Sequence, residues 1–220
     1  MIEHFIAATP RVNNKLCRLR IMFDDFVLDA ISDGKTDFDY DTKHDAIQLL
    51  TQFNREIDSI VNQYGTDKTG VAVWYCYGCV SGMIHDVLDE STFGGWGEFY
   101  DSLKSLYDEG FAKHCENKFN HRLRATKFGT ACYMLWDMDG IEYLTFDRSP
   151  EQMKMAEPII DYGLNHQHPV VQESILHCVG HQIDFHPDFF RPKLNSFLRN
   201  KKLDSKIREY ALQCKSGIIL

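Results

Sequence analysis

Apolar residues recur at helical spacing along almost the whole chain. Val12, Leu16, Leu19, Phe23, Phe26, Ala30 and Ile31 fall at steps of three and four, with Thr9 placed to cap and Pro10 at the first helical position. Gly34 ends this run, and the acidic stretch from Asp33 to Asp41 leads to a second one. There Ala46, Ile47, Leu50, Phe53, Ile57, Ile60, Val61 and Tyr64 form one stripe that stops at Gly65. A third segment, 70–89, opens with the strand-like Val71-Ala-Val-Trp-Tyr75. It continues with Val73, Tyr77, Val80, Ile84 and Val87 on one helical face, so it is predicted as helix, with Gly78 and Gly82 allowing a close neighbour. After the glycine-rich break at 93–97, a fourth helix carries Phe99, Leu103, Leu106 and Tyr107, and a fifth is expected from about Asn117 to Trp136, ending near Gly140.

The last third of the chain is the most regular. Pro158-Ile-Ile-Asp-Tyr-Gly-Leu164 aligns with Pro192-Lys-Leu-Asn-Ser-Phe-Leu198, and Glu173-Ser-Ile-Leu-His-Cys178 aligns with Glu209-Tyr-Ala-Leu-Gln-Cys214. Each half reads as helix, short turn, helix, the unit from which stacked α-solenoids are built. Over residues 149–220 the sequence resembles the HEAT-like helical repeat family. The resemblance implies an all-α chain of about nine helices, with antiparallel pairs stacked as a right-handed α-α superhelix. Residues 1–220 then form a single domain, of which 1–148 is an irregular helical part and 149–220 holds two repeat pairs.

Composition supports a folded chain: 44% of residues are hydrophobic and 25% charged. No apolar run reaches the ~20 residues that cross a bilayer, and the start lacks the basic, long apolar pattern of a signal peptide, so a cytoplasmic protein without membrane association is expected. The formal charge of -8 disfavours a polyanionic partner such as nucleic acid, including the DNA-glycosylase use of a HEAT-like fold. That charge is unevenly spread. Residues 24–67 hold eleven acidic against three basic side chains, whereas 191–215 hold eight basic against two acidic, a basic end suited to an acidic partner or a second copy. Seven cysteines at scattered spacing make no disulfide framework and are expected reduced and mostly buried.

Five of ten histidines lie between His166 and His186. Glu173, His177 and His181 are spaced i, i+4, i+8 and form one ridge, with Val171, Ile175, Cys178, Val179 and Ile183 on the opposite side. The ridge is therefore expected to face away from the main core contact of its helix. Two imidazoles one turn apart can share a metal such as zinc, with the carboxylate completing or supporting the set, although no HExxH base lies between them. The plainer alternative is a polar helix face with a Glu173 to His177 hydrogen bond. In the HEAT-like reading the second helix of each pair lines a concave surface. Glu173, His177 and His181 then point into that groove, and Arg208 lies near its end.

Three smaller motifs carry less. Cys76-Tyr-Gly-Cys79 falls inside a helical run and lacks the strand and helix N-terminus that a thioredoxin-like thiol needs. His85-Asp86 resembles the paired residues of HD-domain phosphohydrolases, with His44 and Asp137 or Asp139 as possible partners. The acidic loop 37–41 lacks the glycine and glutamate of a calcium loop. Tyr133, Trp136, Tyr143 and Phe146 read as interhelical core or as a stacking surface. Phosphate-binding and serine-hydrolase motifs are absent. The expected function is a non-enzymatic protein- or peptide-interaction module without a cofactor, the alternative being a metal-dependent hydrolase built on the His/Glu ridge or the His-Asp pair.

Overall fold

The computed structural model describes residues 11–35, 43–78, 95–119, 126–217 and 219. The described residues are all-helical, with no strand among them and 10 helices of eight residues or more. These are α1 (Arg11–Ile31), α2 (Lys43–Arg55), α3 (Ile57–Tyr64), α4 (Thr66–Tyr77), α5 (Trp96–Ser105), α6 (Lys127–Met134), α7 (Pro150–Leu164), α8 (Pro169–Gln182), α9 (Pro187–Leu198) and α10 (Ser205–Lys215). No helix among them is long and apolar enough to cross a membrane.

The boundaries follow local chemistry and correct the periodicity in places. The second apolar run is two helices, broken at Glu56, because the chain turns there before Ile57 and Ile60 re-enter the core. The third helix begins at Thr66 rather than Gly70 and ends at Gly78, whose extended backbone (ψ 163°) leaves the helix; Gly82 and the stripe beyond it lie outside the described residues. Asn117 precedes the described start of α6 at Lys127, where the Thr126 hydroxyl accepts the Gly129 N–H at 3.1 Å. In the last third each helix starts on its own device. Ser149 caps α7 and Asp204 caps α10, and a proline opens each of α7, α8 and α9. The aligned Pro158 and Pro192 are not at helix starts; both lie inside their helices, where each removes one backbone donor.

Packing follows a two-row order. One row runs α1, α4, α6, α8, α10, each helix resting on the next; the other runs α2, α5, α7. Contacts of α1 with α2 and of α7 with α8 join the rows, α3 bridges α2 and α4, and α9 packs on α8 and α10 of the first row. Phe23, Phe26, Phe53, Phe99, Tyr107, Phe111, Phe128 and Trp136 fill the space between them, each burial contributing about 1.5–3 kcal/mol. One buried polar network crosses this core: Tyr77 donates to Asn54 Oδ1 at 2.5 Å, and Asn54 Nδ2 donates to Ser102 Oγ at 2.9 Å. Tyr133, Trp136 and Phe146 belong to this core, while Tyr143 is exposed. The cysteines whose surroundings are described are free, four of them buried.

The histidine site between α6, α8 and α10

Helix α8 lies inside its row, with α6 on one side and α10 on the other, and it also touches α7 and α9. Its amphipathic pattern therefore does not give one buried and one solvated face. Glu173 is 0% exposed and His177 4%, so the ridge does not face away from the core as its spacing predicts. Only His181, one turn further on, reaches solvent, its side chain 39% exposed. Arg208 is half-buried. Its guanidinium donates to the carbonyls of Leu198, at 2.8 Å, and Asn200, at 2.5 Å, and so closes the C-terminal end of α9.

The structure brings a third ligand to the two histidines from another element. After α6 the chain tightens into a 3-10 turn, Leu135–Asp137, which places Asp137 beside α8. Asp137 Oδ2 lies 3.5 Å from His177 Nε2 and Asp137 Oδ1 lies 3.7 Å from His181 Nε2. One ligand atom from each of the three residues falls within 4.8 Å of the other two. The buried Nε2 of His177 has no hydrogen-bond partner among the described residues. These separations are long for hydrogen bonds. They are close to the ~3.3 Å expected between ligand atoms that share a tetrahedral ion at about 2.0–2.1 Å.

The surroundings fix the rings. His177 Nδ1 is 3.0 Å from the Tyr210 hydroxyl of α10, and that hydroxyl is 3.3 Å from the Tyr133 hydroxyl of α6. The Tyr133 ring lies against the His177 ring at 4.0 Å, and His181 meets His177 edge-on at 4.6 Å. With Nδ1 engaged by Tyr210, Nε2 is the nitrogen directed at Asp137. Partial burial pushes the Asp137 pKa up, but both histidines outweigh it and hold the carboxyl below its ordinary value. Burial holds His181 below the ordinary histidine value despite the pull of Asp137. An ionised carboxylate beside a neutral imidazole is the state a cation requires. Next to this group, the Gln182 side chain donates to Glu142 Oε1. Burial and the Asp137 charge raise the Glu142 pKa.

From sequence, Asp137 is a candidate partner of His44 and of the His85-Asp86 pair, and nothing in its own surroundings in sequence points to His177 and His181. His85 and Asp86 lie outside the described residues, as does the side chain of His44, and Asp139 is exposed away from the group. Cys76 is buried within α4 with its thiol pushed well up by burial, opposite to an activated thiol; Cys79 and the loop 37–41 lie outside the described residues. Compared with protein-family models, curated proteins and solved structures, the chain matches none.

Proposed function

We propose that this protein is a metal-dependent hydrolase whose centre is Asp137, His177 and His181. One observation carries the reading: a buried imidazole nitrogen without a hydrogen bond among the described residues shares a 4.8 Å cluster with a second imidazole and a carboxylate. Two nitrogens and one carboxylate oxygen suit zinc or another divalent transition metal rather than magnesium or calcium, which prefer oxygen alone. Three protein ligands, with Asp137 23% and His181 39% exposed, leave one side open to water and substrate. A cation held there supplies Lewis acidity, activating water and polarising an ester, amide or phosphoryl oxygen. The chain's own part is positional: Tyr210 and Tyr133 hold the His177 ring, and the 3-10 turn holds Asp137 across from it.

Of the four residues assigned to an interaction surface, Glu173 and His177 are buried, whereas His181 and Arg208 are partly exposed. The HEAT-like superhelix remains part of our proposal for the scaffold, supported by the two-row packing order and by the consecutive contacts of α7 with α8 and α9 with α10.

The test is elemental analysis of the untagged protein. Melting curves with and without zinc follow for wild type, Asp137→Asn and His181→Gln, then assays on chromogenic esters and phosphodiesters. We expect near-stoichiometric metal, a zinc-dependent rise in Tm, and loss of metal, shift and turnover in both variants. No bound metal and no shift with zinc, iron or manganese would falsify the reading. Metal binding without turnover would leave a structural centre and sink the hydrolase.

A further inference from the structure

A separate feature lies at the opposite end of α8. Residues from the end of α7, the start of α8, α9, the turn after it, the start of α10 and the segment 117–119 line an open groove with a volume of about 1110 Å³. It uses Pro169 and Gln172 of α8, whereas the histidine site uses the C-terminal half of that helix. The volume is at or above the upper end of the ~300–1,000 Å³ typical of small-molecule sites.

Three chemical elements meet in it. The floor is apolar, with Leu164, Phe197 and Ile207 contributing from three helices. Carboxamides stand along the walls, each keeping hydrogen-bonding capacity. Among the described residues, Asn165 and Gln172 spend one N–H each on backbone carbonyls and keep their oxygens, Asn200 spends its oxygen and keeps its N–H groups, and Gln167 is exposed. A side-chain amide carries a donor and an acceptor side by side, which matches a peptide bond.

The third element is charge. Lys193 is neutralised by Glu157 and Asp161, and Asp204 is engaged in capping α10. Lys202 and Lys206 at the rim, with Arg199 and Lys201 beside them, are exposed and have no ion-pair partner among the described residues. A cationic rim on a chain of net charge -8 is a local inversion that favours an acidic partner over a neutral one. A single-stranded nucleic acid would gain from exposed aromatic faces for its bases, whereas Phe197 is only 7% exposed and Phe119 packs on Tyr210 at 5.7 Å.

We infer that this groove binds an extended acidic peptide segment of another protein, with its aliphatic side chains on the floor, its backbone on the carboxamides and its carboxylates at Lys202 and Lys206.

The experiment selects a random twelve-residue peptide display library on the full-length protein. Synthetic versions of the enriched peptides are then titrated against wild type and Lys202→Glu/Lys206→Glu, with circular dichroism as the fold control. Both lysines contribute only backbone atoms to the α9–α10 turn, so the variant should fold. We expect enriched sequences that are net acidic with interspersed aliphatic residues, and at least tenfold weaker binding to the variant. The inference is overturned by no enrichment, by enriched peptides that are not acidic, or by affinity that survives the double reversal. Tighter binding of a single-stranded oligonucleotide at the same lysines would overturn it in favour of nucleic acid.

Discussion

The Tyr210 hydroxyl stands 3.0 Å from His177 Nδ1, so the last helix of the chain sets the orientation of an imidazole on the helix beside it. Tyr210→Phe keeps the ring and deletes that bond, leaving a buried nitrogen without its partner. It should cost about 1–3 kcal/mol of stability. If Asp137, His177 and His181 hold a metal, the same change should weaken its binding ~10–100-fold, as loss of an outer partner does elsewhere. Urea melts and competition with a chelating dye read the two effects separately. Unchanged affinity beside lost stability would confine Tyr210 to packing.

Gly70 and Gly97 both lie in helices, yet alanine should act oppositely at them. A Cβ at Gly70 would stand 2.5 Å from the backbone of Lys127 and Phe128, so α4 and α6 could not keep their contact. At Gly97 nothing among the described residues lies within 4 Å. Gly70→Ala should lose roughly 1–3 kcal/mol from overpacking, and Gly97→Ala should gain about 0.5–1 kcal/mol from the reduced freedom of the unfolded chain. Calorimetric Tm values of the two variants, moving in opposite directions, are the check.

Neutral His168 caps α8: its Nδ1 accepts the Val170 N–H at 3.3 Å. Burial, and then the neighbouring His166, hold its pKa below the ordinary 6.5, against an upward pull from the Cys115 backbone. The folded state thus binds this proton less readily than the unfolded one. The contribution is whole above pH 6.5 and is lost as pH falls through the lower folded value. In His168→Asn, which keeps an acceptor but does not titrate, the fall in urea midpoint below that pH should be shallower. Parallel pH profiles for the two proteins would rule out the titrating cap.

Asn54 joins α2 to α4 and α5 through Tyr77 and Ser102. Asn54→Leu should cost about 1–3 kcal/mol, because the Tyr77 hydroxyl is then buried without its acceptor. Adding Tyr77→Phe should restore part of that loss, and a double-mutant cycle from urea denaturation gives the coupling. Strictly additive costs would mean that the bond contributes nothing.

What the sequence determined, and what it could not, is clearest in the aligned pair α8 and α10. Periodicity alone identified all-helical structure, most helix positions and two corresponding helix pairs, because helical spacing and capping residues act over a few neighbours. It assigned Glu173 and His177 to an outward face on the same grounds. Their counterparts Glu209 and Gln213 are exposed, and Leu212 is 53% exposed where Leu176 is 0%. Similar spacing has two outcomes because α8 is flanked by α6 and α10 within its row, whereas α10 packs on α8 and α9 at the end of its row. The partnership of Asp137 with His177 and His181 is of the same kind. Forty residues separate Asp137 from His177, and only the packing of α6 on α8 brings carboxylate and imidazoles together. Burial and ligand geometry are properties of neighbouring helices, and no local pattern in one helix records them.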